Sequence, residues 1–419
     1  IYSFYNKFYE QIQNRGIPRS PYLETAFDDY YRTWRQDFGI NLGLNIDEKS
    51  NIKLIIANND YRRIKNTYLK DLTTLEQILT ENRSDQDTSY FNLLLSRGSF
   101  AKETSKQIKA EIGYDFQKER AKGRRIENHE QDRIDIAVYS NLEILINDKL
   151  IARPGLRIAY NTAYRVPLIP SIHLKYSIGE YMIRGSIAKG FRAPSLKEMY
   201  FEFEDVNHNI IGNQNLNAET SKNYHFSIIR KRSDKNSTVV YKASSFYNNL
   251  ESLITLAEND GVYTYINIDR YRTKGVKGSM EWGDNNMTLG VGMTYIGRYN
   301  NLSETEDLDS YIFSQEYSTS LTFYLNADRN STLSAFYKYT GELPSFRLND
   351  NGEVENSFTQ EYTLLDIIFS RNILNNQLKI SLGCKNIFDV QNINSFQQNE
   401  PHQSSSSISM SIGYGRIFY

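Results

Sequence analysis

Apolar and polar side chains alternate with a period of two along most of this chain. Between residues 131 and 146, branched apolar residues such as Ile136 occupy even positions, and charged residues such as Asp135 occupy odd ones. A period of two places the two classes on opposite faces of a β-strand. Turn-forming residues such as Asn147-Asp148-Lys149 separate successive segments of this kind. The pattern predicts an all-β fold of antiparallel hairpins.

Seventeen segments of the chain have this character, and a further segment at 1–11 is a candidate eighteenth strand. Their predicted bounds are 33–46, 51–69, 87–99, 105–117, 131–146, 149–163, 170–178, 180–190, 221–231, 236–250, 263–284, 286–299, 311–326, 330–341, 359–371, 376–385 and 406–419. Short turns and long connections alternate between them, which is typical of an up-and-down barrel. The predicted long loops are 191–219, 251–262, 300–310 and 342–358.

Composition favours a membrane barrel. Mean hydropathy is −0.58, and no segment approaches the roughly 18 apolar residues that a membrane-spanning helix requires. The chain has 32 Tyr and 21 Phe against 2 Trp, and aromatic rings gather at the two interfaces of a transmembrane barrel. Branched residues would then face lipid, and charged residues would face a wet lumen. A Tyr-rich soluble β-sandwich is the alternative that the alternation leaves open.

Several functional classes receive no support from the sequence. The net charge of −1 gives no basis for nucleic-acid binding, and the single Cys384 cannot form an internal disulfide. The chain contains no nucleophile elbow, phosphate loop or His-Glu-x-x-His zinc motif. We therefore expect that it is not an enzyme and that it uses no catalytic cofactor.

Three motifs carry a resemblance to a known family. They are a Phe-Arg-Ala-Pro box followed by an Asn-x-Asn-Leu box, an Asn-x-Phe-Asp box, and an alternating C-terminal segment that ends in aromatic residues. The residues concerned are Phe191, Arg192, Ala193, Pro194, Asn213, Asn215, Leu216, Asn386, Phe388, Asp389, Phe418 and Tyr419. In this order and spacing the motifs resemble the barrel of TonB-dependent outer-membrane receptors, and most closely the haem receptors of Bacteroidetes type. The second box departs from the family pattern at Gln214, where the family often has proline.

The resemblance implies a transmembrane antiparallel β-barrel of roughly 22 strands in the outer membrane, filled by a plug domain. Residues 1–419 are then expected to be the C-terminal portion of that barrel. The plug and about four or five strands are expected to lie in a preceding segment. In agreement with this, residues 1–5 lack the charged and apolar regions of a signal peptide.

The resemblance also implies active import powered by an inner-membrane TonB complex. Haem is the transported ligand that we expect first, with a corrinoid or a ferric siderophore as alternatives within the family. A passive channel or an adhesin is the alternative from a different class. Membrane lipid and lipopolysaccharide are further expected partners, and a surface lipoprotein is a candidate partner for the long loops.

Three residues near the first two boxes are candidate ligand-binding residues. His208 lies between the boxes, where the resemblance implies a histidine that binds haem iron, and imidazole is a common haem ligand. Tyr200 is a second candidate, because tyrosinate also binds ferric haem, although packing at the membrane interface is the alternative role. Arg192 can bind carboxylates, including haem propionates, or can hold the loop in place. Asn386 and Asp389 are expected to cap a turn with their own side chains.

Overall fold

A computed structural model describes residues 2–15, 25–81, 85–205, 208–259, 262–300, 311–326, 328–348, 354–395, 408–411 and 417–418. Its strands are β1 (Tyr2–Arg15), β2 (Thr25–Asp47), β3 (Ser50–Asp71), β4 (Gln77–Leu79), β5 (Gln86–Ser105), β6 (Ile108–Lys122), β7 (Glu130–Asn147), β8 (Leu150–Asn161), β9 (Ile169–Ile178), β10 (Tyr181–Arg192), β11 (Glu202–Asp205), β12 (His208–Ile211), β13 (Glu219–Ser233), β14 (Ser237–Asn259), β15 (Val262–Asp284), β16 (Met287–Asn300), β17 (Ile312–Tyr324), β18 (Ser331–Thr340), β19 (Leu343–Leu348), β20 (Val354–Thr359), β21 (Tyr362–Ile373), β22 (Leu378–Lys385), β23 (Asn392–Ser395), β24 (Ile408–Ser411) and β25 (Ile417–Phe418). Helical segments are short and include α1 (Leu196–Tyr200) and a 3₁₀ turn at Glu127–His129.

Most of the strands form one sheet, which is antiparallel except for a short pairing between β12 and β15. This sheet contains 21 strands, of which β4, β11 and β12 are short additions at one end of the hairpins. The other eighteen pair in chain order, each antiparallel to the next, and they confirm the predicted number of strands. A second sheet of 4 strands contains β19, β20, β23 and β24. The all-β fold class is therefore confirmed.

Short turns join the strands at one end of the sheet. Asn147 closes the β7–β8 turn, because its Oδ1 accepts hydrogen bonds from the backbone N–H groups of Lys149 (2.9 Å) and Leu150 (3.0 Å). Gly179 closes the β9–β10 turn with a φ of 55°, a conformation that glycine adopts without steric cost. The connections at the opposite end are longer, and the box at 191–194 lies there.

The two faces of the sheet have inverted polarity. On β7 the apolar Ile136, Val138 and Ile146 are 43%, 52% and 54% exposed, whereas Arg133 is 8% exposed. Aromatic and branched side chains on many other strands share this exposure. The face that a soluble protein would bury is therefore outermost here, as expected for a barrel that contacts lipid.

The exposed apolar face has the height of a membrane. On β7 it extends from Ile134 to Ile146, which corresponds to about 40 Å along the strand at ~3.3 Å per residue. A strand tilt of about 40° reduces this to roughly 30 Å along the barrel axis, close to the thickness of a hydrocarbon core. None of the helical segments in the described ranges has the length and apolarity needed to cross a membrane.

The opposite face buries polar groups in pairs. Thr67 donates a hydrogen bond of 2.5 Å to the Asp29 carboxylate, and the buried Lys65 Nζ lies 3.9 Å from the same carboxylate. Buried polar groups are stable only when they have such partners. This interior is polar and paired, which agrees with a lumen-facing surface.

Three sequence-based expectations differ from the structure. The predicted loop 251–262 is largely strand, because β14 and β15 continue pairing as far as Asn259 and Val262. Within the predicted strand 406–419 the structure describes two short strands in different sheets: β24 pairs with β23 in the small sheet, and Phe418 of β25 pairs with Cys384 of β22. The small strands β4, β11, β12, β19, β20 and β23 were not predicted. Segments of three to six residues are too short to show a period.

Candidate ligand-binding rim

The candidate site lies where β10 leaves the sheet and the chain returns at β13. We call residues 191–219 the rim segment. It contains the two boxes, helix α1, and the hairpin formed by β11 and β12. The resemblance places ligand contacts in this region, so its internal contacts decide which side chains remain available.

Arg192 joins both ends of the rim segment. Its Nε and Nη2 donate to the two carboxylate oxygens of Glu219 at 2.7 and 2.6 Å. Its Nη1 donates to both oxygens of Glu198 at 3.0 Å. Bidentate pairs of this kind are the strongest ion pairs that arginine forms. The guanidinium of Arg192 therefore donates its hydrogen bonds to two carboxylates of its own chain.

Glu198 also fixes the start of α1. Its backbone N–H donates to Ser195 Oγ at 3.2 Å, and its carboxylate accepts from the Ser195 backbone N–H at 2.6 Å. This reciprocal arrangement is a capping box, which satisfies N–H groups that a helix start leaves free. One carboxylate thus holds both the helix and Arg192.

Pro194 is anchored to the barrel wall. Its side chain is almost completely buried, and its carbonyl accepts a hydrogen bond from Arg133 Nη1 on β7. Arg133 in turn lies 3.0 Å from a Glu119 oxygen and 3.1 Å from an Asp135 oxygen. The Phe-Arg-Ala-Pro box is therefore held by the ion pairs of its own Arg192 and by the hydrogen bond from Arg133 to the Pro194 carbonyl.

Tyr200 is the last residue of α1 and is partly buried. It contacts a small apolar cluster made of Ala121, Ile126 and Leu196. Burial is the largest cause that raises the pKa of the Tyr200 phenol above its ordinary value, and the nearby Glu127 carboxylate raises it further. Both causes disfavour the tyrosinate that would bind ferric iron. Tyr200 is therefore better suited to packing than to metal binding.

We expect Tyr200 to titrate at higher pH than an ordinary tyrosine, whose pKa is about 10. The difference in absorbance at 295 nm between the wild type and Tyr200→Phe, followed during an alkaline titration, measures this group alone. N-acetyltyrosine amide titrated under the same conditions serves as the reference for an ordinary tyrosine. A Tyr200 curve with a midpoint at or below that reference would contradict this assignment.

The second box forms a tight return under α1. Gly212 lies so close to α1 that a Cβ atom there would be 2.6 Å from the Met199 carbonyl carbon. Asn213 N–H donates to the Glu198 carbonyl at 2.9 Å, and Asn213 Oδ1 accepts from Asn215 N–H at 2.9 Å. The buried Leu216 is held by its carbonyl, which accepts a hydrogen bond of 2.8 Å from Tyr164.

The rim segment is also tied to the long β14–β15 hairpin. Asn213 Nδ2 donates to the Tyr265 carbonyl at 2.7 Å, and Thr264 Oγ1 donates to the Ile211 carbonyl at 3.0 Å. The pairs Ile210↔Tyr263 and Ile211↔Thr264 add a short parallel ladder between β12 and β15. The hairpin that contains His208 is therefore braced against an adjacent hairpin.

His208 begins β12, and its backbone pairs with Asp205 of β11. The structure thus places it at the turn of the small hairpin, although its side chain lies outside the described residues. The side chain of Phe418 and the whole of Tyr419 also lie outside them. Among the described residues, no group of three or more His, Cys, Asp or Glu side chains could hold a metal ion.

The Asn386 to Asp389 box forms a turn beyond β22. Asn386 has a φ of 51°, its Oδ1 accepts from Val390 N–H at 3.0 Å, and its Nδ2 donates to the Val390 carbonyl at 2.8 Å. Phe388 is 52% exposed. Asn386 caps this turn with its own side chain, and Asp389 contributes a second left-handed residue with a φ of 56°.

Sequence reasoning missed the partners of the box residues. The sequence assigned no role in the rim to Glu198, Glu219 or Arg133, yet these residues hold the rim segment together. The spacing Ser195-x-x-Glu198 was the one available signal, because it is a capping-box pattern. Glu219 and Arg133 follow no local pattern that identifies Arg192 or Pro194 as their partner.

Comparisons with known proteins agree with this architecture. The family model described as "TonB dependent receptor-like, beta-barrel" matches residues 2–387. No curated protein sequence matches the chain. A mutant of the ferric enterobactin receptor PfeA from Pseudomonas aeruginosa is similar in structure, with a TM-score of 0.69 and 14% identity over 100% of this chain and 69% of that one.

Two further solved structures are similar. The siderophore receptor PirA from Pseudomonas aeruginosa has a TM-score of 0.59 and 14% identity, over 92% of this chain and 72% of that one. The FrpB iron transporter from Neisseria meningitidis has a TM-score of 0.61 and 14% identity, over 99% of this chain and 75% of that one. At this identity the similarity concerns the fold.

Proposed function

We propose, from the premise that this chain belongs to the family of TonB-dependent receptor-like β-barrels, that it imports an iron complex across the outer membrane. The observation that supports this proposal most is the match of the family model to residues 2–387. The sheet agrees with it, because its lipid-facing side is apolar and its inner side is polar. Family membership confirms the predicted outer-membrane location and the β-barrel fold class. The iron complex is the part that we propose.

A ferric siderophore is the first candidate ligand class. The similar solved structures include two siderophore receptors and an iron transporter, which supports iron as the cargo. The observation that favours haem as a second candidate is the position of His208 at the turn of the rim hairpin. Neutral imidazole is a common ligand of haem iron. The resemblance of this chain to haem receptors of Bacteroidetes type stays a prediction.

Within the proposed rim, Arg192 and Tyr200 have positioning roles. Arg192 holds Glu198 and Glu219, so it orients the rim segment instead of binding the cargo directly. Tyr200 stays protonated because its pKa is raised, and it packs against the apolar cluster of Ala121, Ile126 and Leu196. His208 is therefore the candidate iron ligand among the three residues that the sequence suggested.

Energy for import would come from an inner-membrane TonB complex, as the family description implies. The chain would form the C-terminal portion of the barrel, while further strands and a plug come from another segment of the same receptor. In support of this, β1 pairs only with β2 among the described strands. An unpaired strand edge in lipid costs several kcal/mol per free backbone group, about 2–7 each by transfer estimates.

A pair of titrations on the complete receptor tests the cargo. We expect a ferric catecholate siderophore to quench the tyrosine and tryptophan fluorescence of the wild type saturably, and equally in His208→Ala. If haem is the cargo, the Soret band of added ferric haem will shift in the wild type and will lose at least about tenfold in affinity in His208→Ala, since an iron–imidazole bond is removed. Binding of neither ligand would overturn the proposal of iron import.

His173→Ala is the matched control for the haem titration. His173 lies within β9, where it pairs with Ser186 of β10, six residues before Arg192. A Soret shift that weakens equally in His173→Ala and His208→Ala would show that haem binds without a specific ligand. Growth of a receptor-deficient strain on the same iron source then tests whether binding leads to uptake.

A further inference from the structure

One wall of the barrel lumen carries positive charge without matching negative charge. It belongs to β9, β10, β13, β14 and β15, which pair with one another in this order. We call its lumen-facing cations the basic wall, and they are Lys175, Arg184, Lys231, Lys242 and Lys277. Between the rim segment and the short turns, Glu281 is the one lumen-facing carboxylate that the structure describes on these strands.

Alternation along these strands decides which side chains face the lumen, because successive residues of a strand point to opposite faces. Leu174 and Val276 are 45% and 49% exposed on the apolar face that meets lipid. Their chain neighbours Lys175 and Lys277 therefore face the lumen. The same alternation on β10, β13 and β14 places the other three cations on the lumen side.

The register of the sheet brings three of these cations into one row. Lys175 pairs with Arg184, and Lys277 lies three strands further along the same row, beyond two serines. The row crosses five strands, which corresponds to about 19 Å at ~4.8 Å between strands. Lys242 and Lys231 lie on the next two rows toward the short turns. The positive charge therefore continues along the lumen from row to row.

The basic wall lacks carboxylate partners. In the part of the chain that the structure describes, none of its five cations lies within ion-pairing distance of a carboxylate. Arg184 Nε donates to the sulfur of Met182 at 3.2 Å, and Lys277 Nζ lies 5.5 Å from the centre of the Phe246 ring. Arg184, Lys242 and Lys277 are exposed, so a solute in the lumen can reach their charged groups.

The lumen wall formed by β5, β6, β7 and β8 is built differently. Arg97 Nη2 and Arg157 Nη2 lie 3.0 and 3.1 Å from the same oxygen of Asp115. Arg133 and Arg153 are likewise paired with carboxylates of neighbouring strands. Paired charges largely cancel at a distance, whereas unpaired charges of one sign produce a field in the cleft that they line. An anion in the lumen is therefore attracted to the basic wall.

We propose that the basic wall binds an anionic ferric chelate while it moves from the rim segment toward the short turns. This inference rests on the proposed function and narrows the cargo to complexes with a net negative charge. Ferric catecholates qualify, because three doubly deprotonated catechols outweigh the charge of Fe³⁺. The cations lie on successive rows and not in one cluster, which suits a series of weak sites that a solute enters and leaves.

Uptake of radioactive iron by a receptor-deficient strain that carries the complete receptor tests the proposal. The probes are a trianionic ferric tris-catecholate and a neutral ferric tris-hydroxamate of similar size. We expect Arg184→Gln/Lys277→Gln to lower uptake of the catecholate at least about tenfold below half-saturation, since a cleft of one sign of charge raises association rates by about 10- to 1,000-fold. Arg184→Lys/Lys277→Arg keeps both charges and should transport the catecholate as the wild type does.

Lys189→Gln/Lys222→Gln is the matched control. Lys189 of β10 pairs with Lys222 of β13, and both alternate with the exposed residues Ile187 and Tyr224, so they lie on the outer face. This variant removes the same charge from the wrong side of the wall and should leave uptake unchanged. Affinity for the catecholate, measured by fluorescence quenching, should be unchanged in all variants, because the rim segment is intact. The heat-dependent electrophoretic mobility of folded barrels verifies folding.

The two probes separate the possible outcomes. Catecholate uptake that is unchanged in Arg184→Gln/Lys277→Gln, or that falls equally in the outer-face control, would overturn the proposal. Wild-type uptake of the neutral hydroxamate at the rate of the catecholate would also overturn it. An equal loss for both probes would show that the two cations support the structure of the receptor and do not attract an anion. If the wild type binds and imports neither probe, the proposed function itself fails, which is a different result.

Discussion

Replacing Arg192 by glutamine is expected to release the rim segment from the barrel. The change removes four hydrogen bonds and leaves the carboxylates of Glu198 and Glu219 without their cation. These two carboxylates are only 15% and 12% exposed, so water cannot fully replace the arginine. Breaking a buried ion pair costs about 3–5 kcal/mol, and the partial exposure of Arg192 reduces this to roughly 2–3 kcal/mol.

Hydrogen exchange of the complete receptor measures this release. The amides of Glu198 and Ile254, which donate to Ser195 and to the Glu219 carboxylate, should exchange roughly 30- to 150-fold faster in Arg192→Gln. Arg192→Lys keeps the charge but lacks the planar guanidinium. Its amide exchange rates should lie between those of the wild type and those of Arg192→Gln. We also expect affinity for the iron complex to fall, because the hairpin with His208 loses its support.

Arg230→Gln is the control for this variant. Arg230 pairs with Glu180 at 3.0 Å, and both side chains are well exposed, at 39% and 45%. Ion pairs between exposed side chains contribute little to stability, so amide exchange near the β9–β10 turn should change less than about fivefold. Equal effects of the two arginine variants would show that Arg192 has no special role in the rim.

Replacing Gly212 by alanine is expected to displace the second box from α1. The added Cβ would lie 2.6 Å from both the carbon and the oxygen of the Met199 carbonyl and 2.7 Å from the Tyr200 nitrogen. These are backbone atoms of a capped helix, which cannot rotate away as a flexible side chain can. Overpacking typically costs about 1–3 kcal/mol, and a clash with backbone lies at the upper end.

The expected result is faster exchange at both sides of this contact. The amides of Gly212 and Asn213 donate to the carbonyls of Phe201 and Glu198 at 2.9 Å, and both should exchange about 100-fold faster in Gly212→Ala. Gly185→Ala and Gly278→Ala are controls, because a Cβ at either position meets no atom within 4 Å. Rim exchange that is unchanged in Gly212→Ala would contradict the close approach seen in the structure.

The candidate site was predictable only in part. The sequence located the boxes and His208, because their order and spacing are visible along the chain. It left two roles open for Arg192, binding of ligand carboxylates and holding the loop in place, and the guanidinium lies against Glu198 and Glu219. The pairing of Arg192 with Glu219 spans 27 residues, and that of Arg133 with Pro194 spans 61. Side-chain contacts at such separations leave no periodic signal.

The alternation of apolar and polar positions determined the all-β class, the number of long strands and the face that meets lipid, since a period of two is a local property of a strand. Turn residues determined the hairpins for the same reason. Only the tertiary structure decided which side chains of different strands lie in one row and which groups close the rim segment. Those arrangements depend on the register between strands and on ion pairs between residues far apart in the sequence. A local sequence pattern contains neither kind of information.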